Sequence, residues 1–172
     1  IQVGLGNALR SGPDPDLEAA LACYEAAERL GVEDDQALAK LWKVKGDALV
    51  ERRGDADLRE AEMLIGRSLA LRTGRLRAET LLSASAIAER HPDLDKEERL
   101  RRSINFLMDA VRADRDVGQA AVPRLCEQLA ELRRAWPHNH GIDERLAELE
   151  RHHPEHSAHI ERARLGVGDR IE

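Results

Sequence analysis

The sequence predicts an all-α protein, an array of about four helical hairpins closed by a C-terminal capping helix. Three observations carry this. Aromatic residues are only 2% and charged residues 35% of the chain, and Ala, Leu, Glu and Arg dominate, so the core must be built from small and aliphatic side chains on strong helix formers. Small residues recur at a long, nearly constant period. Clusters of Gly, Pro and Asp fall between the apolar stretches at matching intervals, where turns are wanted.

The period is read from Gly6, Gly46, Ala88 and Ala130, which are 40, 42 and 42 residues apart. Each is followed by a quartet with offsets of three and four, which puts its members on one helix face. The quartets are Leu17, Ala20, Tyr24, Ala27, then Leu58, Ala61, Ile65, Ser68, then Leu100, Ser103, Leu107, Ala110. A fourth, decayed copy reads Ile142, Arg145, Leu149, His152. Glycine inside a helix costs about 1 kcal/mol against alanine, so Gly46 within LWKVKGDALV asks for a close helix–helix contact.

The pairs follow in order as residues 1–31, 35–73, 75–114 and 119–153, with the capping helix at 155–166, in a single domain over 1–172. SGPDPD (11–16), RRGDAD (52–57) and RHPDLD (90–95) join the helices within the first three pairs. Asp16, Asp57 and Asp95 are each expected to cap the helix that follows. Gly31 and Gly74 stand near helix C-termini, where a left-handed residue is favoured. AWPHNHG (135–141) divides the fourth pair.

Several functions are excluded. GLGNALRSG resembles a phosphate loop only superficially: the third glycine of a dinucleotide fingerprint falls on Leu9, and no Gly-Lys dipeptide occurs for a P-loop. Net charge is −6 with both signs interleaved, which argues against nucleic acid. No apolar run approaches the ~18 residues of a membrane span, and without a signal peptide the chain reads as cytoplasmic. Cys23 and Cys126 lack metal or redox spacing. No serine elbow or singled-out carboxylate pair points to an enzyme, and no cofactor is implied. The first residue is Ile1, so the chain reads as a piece of a longer protein, with more repeats upstream or self-association through the uncapped N-terminal edge.

Small residue on one helix, then Ala, Tyr and Ala spaced by four and three on the next, with Trp42 four residues before Gly46, resembles the tetratricopeptide repeat. The Gly6-Asn7-Ala8-Leu9 run is similar to that family's helix. The standard period is 34, whereas the longer period here is similar to repeats in large bacterial proteins that append a caspase-like CHAT peptidase to the array. A HEAT-type hairpin array, with a period near 40, is the alternative.

The resemblance implies a right-handed superhelical solenoid whose first helices line a concave groove for a partner protein or peptide. Carried over position by position, groove residues are Asn7, then Lys40, Lys43, Asp47 and Glu51, then Ser85 and Glu89, with Arg10 one turn beyond Asn7. Asn7, Lys40 and Lys43 suit a carboxylate, while Asp47 and Glu51 suit a mixed-charge partner. Solvated surface is the plain alternative. A sensor or regulatory region of a larger bacterial signalling or defence protein is a second reading. The third is a metal-binding helical domain. Six of seven histidines lie between 138 and 159, and His152, His156 and His159 have helical spacing for one ion. The opposing reading of these histidines is a polar cap.

Overall fold

The computed structural model describes residues 1–137 and 141–167. Every regular element among them is helical. The first pair is α1 (Gln2–Ser11) and α2 (Leu17–Arg29), the second α3 (Asp35–Arg52) and α4 (Asp55–Leu71), the third α5 (Gly74–Ala88) and α6 (Lys96–Ala113). α7 (Arg115–Ala135) and α8 (Gly141–His152) follow, then a 3-10 turn (Pro154–His156) and α9 (Ser157–Arg164). Each helix packs on its chain neighbour, and α1, α3, α5 and α7 also touch in succession.

Among the described residues, side-chain caps start four of the helices. Asp16, Asp34, Asp95 and Asp114 accept from the backbone N–H groups of Ala19, Ala37, Glu98 and Val117, satisfying donors that the helix leaves orphaned. Asp57 departs from its expected role. It sits in the first turn of α4, not before it, and its carboxylate reaches back to the Gly54 N–H at 3.1 Å. Gly31 and Gly74 take positive φ, +81° and +52°, the second of them at the first residue of α5.

The close approaches expected of the first two pairs are present. A methyl group placed on Gly6 would lie 2.5 Å from Tyr24 Cε1, and one on Gly46 would lie 3.0 Å from Ile65 Cγ1. In the third pair the contact falls elsewhere. Gly46 is the twelfth residue of α3, and the twelfth residue of α5 is Ser85, whose hydroxyl meets Ser103 Oγ at 2.8 Å. Ala88 is buried one turn later. Matching positions of α3 and α5 are therefore 39 residues apart, three fewer than the sequence spacing suggests.

The fourth pair also differs. α7 packs chiefly on α6 and α9, and touches α8 little. Arg145 and His152 stand where the earlier quartets have small residues, so α8 has no small face to bring close to α7. Ala163 and Ile160 on α9, both fully buried, take that place. The Ile142, Leu146 and Leu149 side chains of α8 join the same core.

That core, formed by α6 to α9, is one of two large apolar clusters; the other runs from α2 to α5 around Tyr24, Leu41, Leu49 and Ile65. Ala78, Leu81, Ala110 and Val117 link them, with Phe106 flanking. Polar contacts tie one pair to the next. Glu62 on α4 meets Arg102 on α6 at 3.4 Å, and Arg112 on α6 holds Glu148 on α8 through both oxygens at 2.7 and 2.8 Å. Asn105 accepts from Arg145 Nη2 at 2.9 Å across the same two helices. Arg59 grips Asp93 with two bonds of 2.7 Å. Exposed pairs of this kind contribute little stability singly; their geometry fixes how neighbouring pairs sit.

Candidate functional site

The neighbouring faces of α3 and α5 enclose an open cleft of about 480 Å³. α3 supplies Lys43, Asp47, Val50 and Glu51, and α5 supplies Glu79, Leu82, Ser83 and Ala86. The 39-residue spacing explains the pairing: Lys40, Lys43 and Asp47 correspond to Glu79, Leu82 and Ala86. Its floor is apolar and its rims are charged. Periodicity of three and four puts such residues on one face of each helix, and adjacency of α3 and α5 then builds the cleft.

Charges at this cleft are largely matched. Lys43 Nζ lies 2.7 Å from Asp47 Oδ2 within one turn of α3. Arg10 reaches across from α1, donating to the Val44 carbonyl at 3.2 Å and standing 3.8 Å from Asp47 and 3.9 Å from Glu51. Glu51 is half exposed at its side chain. Asn7 Oδ1 accepts the Tyr24 hydroxyl at 2.8 Å. Burial raises the Tyr24 pKa above its usual 10.0, with Arg10 opposing and Glu51 reinforcing, so the phenol is a neutral donor.

Five of the expected groove residues thus gather around α1 and α3: Asn7, Arg10, Lys43, Asp47 and Glu51. Of the three residues expected to suit a carboxylate, Asn7 is bonded to Tyr24 and Lys43 is paired with Asp47. Lys40 is exposed and makes no ion pair among the described residues. Ser85 needs correction. It is fully buried at the α5–α6 contact and cannot face a ligand in the groove.

Glu89 lies outside the α3–α5 cleft. Its Oε1 accepts from Ser103 Oγ at 3.1 Å, from Arg124 Nε at 3.0 Å and from the Gln128 amide. It lines a different hollow of about 470 Å³ between α5, α6 and α7, with Lys96, Arg99 and Arg134 on its walls. The slip of three residues in register accounts for both displacements.

Lys45 escaped the sequence reading. It is buried on α3 between Glu28 at 3.1 Å and Glu60 at 3.4 Å, while Trp42 Nε1 donates to the other Glu28 oxygen at 3.2 Å. Burial opposes its charge, but the Glu28 bond and the two carboxylates outweigh it and hold the ammonium above its ordinary 10.5. This is a structural tie between α2, α3 and α4. The signal available was Lys45 inside an otherwise apolar register, Leu41, Lys45, Ala48.

The histidines do not converge. His152 is exposed on the last turn of α8, while His153 is buried beneath it. His156 lies 6.4 Å from the His153 ring and 5.7 Å from the His159 ring, centroid to centroid. Among the described residues no group of three or more His, Cys, Asp or Glu could hold a metal ion. His138 and His140 lie outside the described residues.

Among the described residues, no helix is long and apolar enough to cross a membrane. Comparison of the chain with models of known families, with curated proteins and with solved structures gave no match in any of the three.

Proposed function

We propose that the chain is a right-handed array of tetratricopeptide-like helix pairs, and that the α3–α5 cleft holds a segment of a partner protein. The observation that carries this reading is the cleft itself. It is lined by repeat-equivalent positions of successive first helices, with Val50, Leu82 and Ala86 as an apolar floor between charged rims. The succession of α1, α3, α5 and α7 contacts and the Gly6–Tyr24 and Gly46–Ile65 approaches support the repeat architecture.

The chemistry of the cleft favours an amphipathic peptide or helix. Lys43 and Arg10 face Asp47 and Glu51, and Arg75 pairs with Glu79, so the rim carries both signs. A partner segment would place apolar side chains on the floor and charges of both signs along the rim. Charge matching at the rim sets orientation and on-rate more than affinity.

Peptides selected from a random display library on the purified chain test this reading. Ala86→Arg fills the floor with a long charged side chain and is expected to weaken the selected peptides by about tenfold or more, the effect of losing roughly 1.4 kcal/mol. Gly66→Arg is the matched control, since open space surrounds Gly66 on α4. It is expected to leave binding unchanged. Equal loss in both variants, or none in either, removes the cleft as the site.

A further inference from the structure

We propose that a second, separate cavity at the junction of α6, α7 and α8 binds a phosphate monoester with an apolar body. The cavity measures about 600 Å³, within the size range of small-molecule sites. Its rim carries Arg112, Arg115, Arg151, His152 and His153, against the single carboxylate of Glu148.

That carboxylate is already engaged. Arg112 binds both its oxygens, and this bond holds Glu148 below its usual 4.5, with the charges of His152 and Arg151 contributing. Arg115 and Arg151 meet no carboxylate among the described residues; Arg151 Nε donates only to the Ala147 carbonyl at 3.3 Å. Two guanidinium groups are therefore left over at one cavity mouth.

His153 adds a buried imidazole to the same lining. It is 2% exposed, and its Nδ1 faces the Glu155 carboxylate at 3.5 Å. His152 stands beside it, exposed. Val111, Leu149 and Pro154 supply the apolar part of the lining.

Charge selects the ligand class. Two unmatched guanidiniums beside two imidazoles offer at least two positive charges, and a phosphate monoester carries about −1.5 to −2 at neutral pH. A monocarboxylate balances only half of this. Arginine also matches phosphate oxygens through its planar fork of donors. The apolar lining receives the body of the ester.

Phenyl phosphate and benzoate are the probes, followed by NMR through the histidine ring protons of the full chain. Phenyl phosphate is expected to shift the His152 and His153 signals saturably and leave His91, which sits against Glu62, unmoved. Benzoate is expected to bind at least about tenfold more weakly, and Arg115→Gln with Arg151→Gln to weaken phenyl phosphate by about tenfold or more. Circular dichroism of that variant is expected to match the parent, since both residues are exposed. No saturable shift, equal binding of benzoate, an equal shift at His91, or undiminished binding by the folded double variant would each overturn the proposal.

Discussion

Ala61→Arg is expected to abolish cooperative folding or to lower the melting temperature by roughly 10 °C or more, at about 2–4 °C per kcal/mol for a chain of this size. Ala61 is fully buried on α4, and its carbonyl oxygen would stand 3.6 Å from a methyl placed on Gly46. Two backbones already meet there. An arginine would force α3 and α4 apart or bury an unpaired guanidinium, and such events cost more than about 4 kcal/mol. Domains of this kind hold only about 5–15 kcal/mol in total. Ala56→Arg, at an exposed position of the same helix, is expected to change the melt by no more than a degree or two, near the ±0.5 kcal/mol of surface changes. Thermal melts by circular dichroism compare the two.

Gly118→Leu is expected to destabilise by at least about 2–3 kcal/mol, the upper range for overpacking. A Cβ at this position would lie 2.6 Å from Val111 Cα and 3.1 Å from its carbonyl oxygen. The obstacle is backbone, so no rotamer change relieves it, and α6 and α7 must separate. Gly4→Ala gives the opposite sign. Nothing lies within 4 Å of its added methyl, and the helix gains up to about 1 kcal/mol of propensity. Urea denaturation of both variants measures the pair: a stable Gly118→Leu would mean that α6 and α7 do not meet as closely as described.

The helices, their turns and two of the four side-chain caps were legible in the sequence because local chemistry fixes them. Asp16 and Asp95 cap as expected, and SGPDPD and RHPDLD turn where Pro and Gly require it. The first two close approaches were also legible, because Gly6 and Gly46 recur at the small-residue spacing; glycine alone is not the signal, since Gly4 and Gly66 meet no neighbour. Tyr24 and Ile65 are the neighbours of Gly6 and Gly46.

Register was harder. Alanine is common on every face of these helices, so Ala88 mimicked the small position that belongs to Ser85. Serine gives no helical pattern of its own, and only the second serine, Ser103, reveals why it is there. That slip moved the expected third-repeat groove residues by one helical turn. Ser85 became a contact between helices, and Glu89 became the acceptor for Arg124 and Gln128.

Pairing of charges between helices was not legible. The i,i+4 spacing of Lys43 and Asp47 on α3 allows their pair, but nothing in the sequence says that Arg10 joins it from α1, or that Lys45 is enclosed by Glu28 and Glu60. These depend on which helices are neighbours, and so on the tertiary packing. The histidines show the same limit: spacing favoured His152, while Pro154 ends α8 and the chain beyond it buries His153.

Hydrogen–deuterium exchange of the chain, with and without a selected peptide, tests the binding cleft most directly. Protection on binding is expected in residues 40–51 of α3 and 79–86 of α5, with α4 and α6 little changed, since only the former pair faces the partner. Protection centred on the outer faces of α4 and α6, or spread evenly over all helices, would contradict the cleft as the binding surface.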